Sequence, residues 1–110
     1  IQGVDGIVFV SDSQVGRLDE NIESYLNMWE NLADQGDSPL ELGLVMQYNK
    51  RDLTEIFSVN DLNELLNQTN SPHVESCALT GVGVFDALRI VSKQVIARTE
   101  QTHSAPEARA

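Results

Sequence analysis

At 110 residues the chain has the length of one domain. Its formal net charge of −10, from 17 acidic and 7 basic side chains, opposes nucleic acid and anionic membrane surfaces, where Lys and Arg contacts dominate binding. A hydrophobic fraction of 41% supports a small core, but no apolar run approaches the roughly 20 residues of a bilayer span. The single Cys77 rules out an internal disulfide and multi-cysteine metal sites. With no signal-peptide pattern, the reading is a cytoplasmic protein without a membrane span or nucleic-acid partner.

In chain order, the run V-D-G-I-V-F-V at residues 4–10 predicts a first strand. Ser11-Asp12-Ser13 follows it, a group that either caps the next helix or sits near a ligand; the cap is the preferred reading. Leu18, Ile22, Leu26, Trp29 and Ala33 recur at helical spacing and predict one apolar face, with Asp19 and Glu20 favouring the helix start. Gly36 and Pro39 end that helix. The apolar run at residues 42–48 predicts a second strand, and Asn49-Lys50-Arg51-Asp52 stands directly after it.

Ser58-Val59-Asn60-Asp61 has the form of a capping box, after which Leu62, Leu65 and Leu66 are expected to face inward. A short third strand is expected near residues 73–78. The last helix is expected to bury Val84, Phe85, Leu88, Val91, Val95 and Ile96. Residues 98–110 are polar and are expected to form a disordered tail beyond one domain at 1–97. Three strands alternating with three helices predict an α/β fold: a parallel sheet between helical layers. In such sheets ligands bind beyond the carboxyl ends of the strands, where Asp12, residues 49–52 and residues 77–80 all fall.

N-K-x-D at a strand end carries a specific chemistry. A fixed Asp52 carboxylate can accept from both N1–H and the exocyclic amine of guanine, whereas adenine presents the wrong donor pattern on that edge. Asn49 both donates and accepts, which suits a bracing role. Lys50 can lay its methylene stem along a base while its ammonium stays hydrated. Several other signals have plainer explanations. His73 and Cys77 lack two further metal ligands. Gly81-Val82-Gly83 fails the dinucleotide fingerprint, because Asp86 occupies its sixth position, and reads as a turn into a helix. Asp19-Glu20 reads as a solvated first turn.

The chain resembles the second half of a small Ras-like GTPase, in particular the bacterial MglA-type polarity and gliding-motility group. V-D-G-I-V-F-V-S-D-S at 4–13, Y-N-K-R-D-L at 48–53 and S-C-A-L-T-G at 76–81 with G-V-F at 83–85 carry the resemblance, over about residues 4–97. It implies an incomplete three-layer fold of P-loop GTPase type and a guanine site of Asn49, Lys50, Asp52, Cys77, Ala78 and Leu79. Ala78 would offer its backbone N–H to guanine O6. Cys77 stands where the family often has Ser, and Leu79 where a Lys often stacks on the base.

The resemblance further implies GTP and GDP as ligands, Mg²⁺ in the intact protein, a switch function with GTP hydrolysis, and a roadblock-type activating partner. No G-x-x-x-x-G-K-[ST] occurs, so the phosphate loop is expected upstream of Ile1, and hydrolysis by these residues alone is not expected. Two alternatives remain: a non-hydrolysing nucleotide- or protein-binding module of the same fold, and an acidic structural domain with a fortuitous N-K-R-D. The residues upstream of Ile1 would separate the three. In the first two readings the first strand is a sheet edge that the isolated chain leaves bare.

Overall fold

The computed structural model describes residues 5–77 and 80–109, with side chains described as far as residue 97. Strand β1 (Gly6–Asp12) leads through a single 3₁₀ turn (Val15–Arg17) into helix α1 (Leu18–Asp34). Strand β2 (Gly43–Asn49), helix α2 (Val59–Leu65), strand β3 (His73–Glu75) and helix α3 (Val84–Arg109) follow. Among the described residues the two strand pairings are parallel and the sheet order is β1-β2-β3. The expected α/β alternation of three strands and three helices is therefore present.

Side chains alternate across a strand, so each face of the sheet meets a different helical layer. Phe9 of β1 and Leu44, Met46 and Tyr48 of β2 form one core with Tyr25 of α1 and Leu62 and Leu66 of α2. Tyr25 stands edge-on to Phe9 with ring centroids 5.3 Å apart, and Trp29 stands 6.2 Å from Tyr25. Such pairs add about 0.5–1.5 kcal/mol beyond their burial. On the opposite face α3 lies close to the sheet at two glycines. A Cβ on Gly6 would come 2.7 Å from Val91, and one on Gly43 would come 3.1 Å from Gln94.

Tyr48 is fully buried and donates its hydroxyl to Asn63 Oδ1 at 2.5 Å. Its burial pushes the phenol up to about 12.

The inward faces differ from the helical spacing in detail. On α1 the buried positions are Asn21, Tyr25 and Leu32, while Leu26 and Ala33 are exposed. Leu26 and Tyr25 both satisfy a 3.6-residue repeat, and the Phe9 ring selects Tyr25. On α2 Leu62 and Leu66 are buried but Leu65 is exposed, one step around the helix. On α3 Ala87 is buried and Val91 and Val95 pack on the sheet, while Leu88, Ile96 and Phe85, the last at 80% exposure, face outward.

The expected boundaries also shift. β1 ends at Asp12 rather than residue 10, and β3 stops at Glu75, so His73 and Cys77 do not share a strand face. The backbone of α3 stays helical into the polar segment 98–110, where a disordered tail is the sequence expectation. Ala97, Arg98, Glu100 and Gln101 are good helix formers, and no glycine or proline intervenes before Pro106.

β1 is an edge strand among the described residues, and Val10 on it is 52% exposed; Leu88 and Phe85 of α3 are exposed as well. Unpaired strand edges and contiguous apolar patches both favour association. Produced as these 110 residues, the chain should self-associate or melt at low temperature, and Phe85→Lys with Val10→Lys should shift it toward monomer. Sedimentation velocity with calorimetry measures this; a sharp, reversible, concentration-independent melt of a monomer would contradict it.

Candidate functional site

The parallel register sets Asp12 beside Asn49, the last residues of β1 and β2. Two loops leave this point and pair with one another. Phe57 N donates to Ser13 O at 2.9 Å, Val15 N donates to Glu55 O at 3.0 Å, and Ser13 N donates to Asn49 O at 3.2 Å. The N-K-R-D segment lies inside this frame. Lys50 takes a left-handed backbone at φ 61°, and Leu53 N donates to Lys50 O at 3.2 Å, closing a turn that carries Arg51 and Asp52 at its centre.

Arg51 anchors the turn. Its guanidinium donates to Phe57 O at 2.6 Å and to Glu75 Oε1 at 3.1 Å, and its backbone N–H donates to Ser76 O at 3.2 Å. Asp52 is exposed at the head of the turn. Its carboxylate thus stands on a loop fixed at both ends, available to a ligand.

Asn49 braces the site through a buried polar chain. Gln47 Nε2 donates to Ser76 Oγ at 3.1 Å, and Ser76 Oγ donates to Asn49 Oδ1 at 3.1 Å. Gln47 and Ser76 are both buried, so each bond also satisfies a group that would be costly to strand. Ser76 N donates to Tyr48 O at 2.8 Å, which carries the loop after β3 to the end of β2.

The loop after β3 is closed by backbone bonds. Cys77 N donates to Val82 O at 3.0 Å, while Cys77 O accepts from Gly81 N at 2.9 Å and Thr80 N at 3.2 Å. The Cys77 side chain is buried. Ala78 and Leu79 lie outside the described residues. Of the candidate residues, Asn49, Lys50 and Asp52 share one turn, and Cys77 is joined to it through its neighbour Ser76.

Lys50 Nζ lies 3.1 Å from Asp12 Oδ2. Gln14 donates from its backbone N–H and its side-chain amide to the same carboxylate, each at 3.0 Å. Burial alone pushes the Asp12 carboxyl up, but the Gln14 bonds and the Lys50 ammonium outweigh it and hold the group below its usual 3.8. The depressed value means that the pair's stabilisation is present above 3.8 and is lost only as pH falls through the lower folded value.

This corrects the preferred reading of residues 11–13 as a helix cap. The intervening 3₁₀ turn moves the start of α1 to Leu18, and its N-cap position, Arg17, makes no side-chain cap bond. Asn21, one turn into α1, instead clamps the end of β1: its Nδ2 donates to Asp12 O at 2.7 Å and its Oδ1 accepts from Asp12 N at 3.1 Å. Ser58 does cap α2, accepting from Asp61 N at 3.1 Å. Sequence reasoning passed over Ser76, Arg51 and Gln14. Gln47 within an apolar run was the signal for Ser76, because a buried amide demands a partner. A cleft of 340 Å³ between α1 and β1, lined by Ile7, Met28 and Leu32 among others, lies toward the amino end of β1 and away from these residues.

A parallel α/β sheet with N-K-x-D on a braced turn at the end of its middle strand is consistent with an incomplete fold of P-loop GTPase type. The chain is 47% identical over 96 residues to the mutual gliding-motility protein MglA of Myxococcus xanthus (strain DK1622), and the match covers 87% of the chain and 49% of that relative. Over this stretch the chain is similar to that relative, and it spans about half of the relative's length. No protein-family model matches the chain. Among the described residues, no helix is long and apolar enough to cross a membrane.

Gly83 ties the loop after β3 to α3. Its backbone is left-handed at φ 80°, and a Cβ there would run into the Glu75 carbonyl oxygen and lie 3.0 Å from the Ser76 Cα. Gly81 has a similar φ of 77° but open space around it. Gly83→Ala should therefore cost roughly 2–5 kcal/mol, and Gly81→Ala only about 1–2 kcal/mol. Urea denaturation of the full-length protein distinguishes the two; equal losses would mean that the close approach of α3 to β3 is not tight.

Proposed function

We propose that this chain is the guanine-binding, carboxyl-terminal half of a small regulatory GTPase, with a domain core at 1–97 and a polar extension at 98–110. The observation that carries the proposal is the exposed Asp52 carboxylate on a turn pinned by Arg51, beside an Asn49 held by Ser76. Asp52 accepts from guanine N1–H and the exocyclic amine. Asn49 joins the loops after β2 and β3, Lys50 covers one face of the base, and the loop of Cys77, Ala78 and Leu79 borders the other side, with the Ala78 N–H directed to O6. Likeness to the gliding-motility relative supports GTP and GDP as the ligands.

The fit of the site to guanine rests on donor and acceptor chemistry. Guanine offers two donors on one edge, and a carboxylate offers only acceptors, so the pair is complementary without a proton shift. Phosphate binding makes different demands: a cradle of backbone N–H groups and positive charge. Among the described residues, no three His, Cys, Asp or Glu side chains converge into a cation site. In the intact protein phosphate charge would be neutralised by Mg²⁺ held outside these described residues, and the residues of this chain would select and orient the base. The switch function and a roadblock-type activating partner belong to the same proposal.

Asp52→Asn tests it in the full-length protein. The lost charge-assisted bonds are worth about 1.5–3 kcal/mol, roughly ten- to a hundredfold in GDP affinity. Xanthine carries a carbonyl where guanine carries its amine, and an Asn amide donates to it, so XDP affinity should rise. Titration of GDP and XDP by calorimetry reads both effects. Unchanged GDP affinity with no gain for XDP would remove the proposal.

A further inference from the structure

We infer that Asp12 is a positioning residue for Lys50, holding its ammonium so that the methylene stem is already laid at the base site before a nucleotide arrives. This rests on the base-binding role proposed for residues 49–52. Three observations support it independently of that role. Asp12 is the terminal residue of β1 and lies in register with Asn49, so the rigid sheet fixes its Cα relative to the N-K-R-D turn. Its carboxylate is fixed in turn by Gln14, which reaches Oδ1 from both backbone and side chain and Oδ2 from the side chain. The remaining direction at Oδ2 is taken by Lys50 Nζ at 3.1 Å.

Lys50 needs such a partner. It sits in the left-handed backbone region at φ 61°, which is unfavourable for a side-chain-bearing residue and persists only where surroundings impose it. Its side chain is 47% exposed, whereas that of Asp12 is 21% exposed. An unpaired lysine at that exposure would sample many rotamers, and freezing the stem against a base would reduce affinity. A partner on a rigid strand removes that cost in advance. The simpler role for Asp12, closing the turn with the Gln14 N–H, accounts for Oδ1 but not for the Gln14 side chain that also reaches Oδ2, the oxygen facing the lysine.

The two roles separate in a double-mutant cycle on the full-length protein. Asp12→Asn keeps an acceptor for the Gln14 N–H and removes the charge; Lys50→Met keeps most of the stem and removes the ammonium. If Asp12 acts through Lys50, each single substitution should weaken GDP binding by about two- to fivefold, a magnitude set by partly exposed ion pairs. Asp12→Asn should then have no further effect in the Lys50→Met background, and the ratio of GDP to XDP affinity should stay fixed, because Asp52 chooses the base.

Gln14→Met, which loosens the clamp but leaves Asp12 in place, should give a smaller loss with the same dependence on Lys50. It supplies the readout if Asp12→Asn melts early by circular dichroism. Additive losses, or no loss from Asp12→Asn and Gln14→Met, would overturn the inference. That result combined with the expected Asp52→Asn base switch removes the role of Asp12 alone, whereas a silent Asp52→Asn removes the base site itself.

Discussion

The burial of β2 between β1 and β3 is the constraint on which the rest of the molecule depends. Residues Gly43 to Tyr48 are buried on both faces of the sheet, under α1 and α2 on one side and α3 on the other. A slip by one residue would send Met46 and Tyr48 into the α3 layer and put Gln47 into the aromatic core. Register is therefore strongly fixed, and it places Asn49 beside Asp12 and Tyr48 beside Glu75. The loops that leave these positions have little choice but to meet.

What those loops do after meeting is settled by polar satisfaction. A parallel strand ending in the interior leaves carbonyls and amides that must find partners. Ser76 supplies several at once: its N–H goes to Tyr48 O, its carbonyl accepts from Arg51 N, and its hydroxyl links Gln47 to Asn49. Arg51 then fixes the far end of the N-K-R-D turn on Phe57 O. The same bonds that satisfy the buried backbone hold the turn still, so site rigidity and fold stability share their causes. Removing the Ser76 hydroxyl takes the acceptor from the buried Gln47 amide, a cost of about 1–3 kcal/mol.

The other side of the molecule has a different character. β1 is an edge among the described residues, and on its open side the carboxyl end is held by the Asn21 side chain rather than by a further strand. Val10 on that edge and Phe85 and Leu88 on α3 face outward. Phe85 and Leu88 are among the positions where the amphipathic pattern and the observed burial disagree. A helix face that reads as core in sequence but is exposed among the described residues is an apolar surface that favours association.

The sequence by itself determined the order and type of the elements, because apolar runs, caps and glycine stops act over a few residues and show directly in the chain. It also marked Asn49, Lys50 and Asp52 as candidates, because that motif is contiguous and visible in the chain. Tertiary structure alone decided which side of α1 turns inward, since Tyr25 and Leu26 fit the same helical repeat and only the Phe9 ring separates them. It alone joined Ser76 to Asn49 across 27 positions and Asp12 to Lys50 across the β1–β2 pairing. Local periodicity says which residues prefer burial, but hydrogen bonds and ion pairs between loops depend on a register that exists only once the strands have paired.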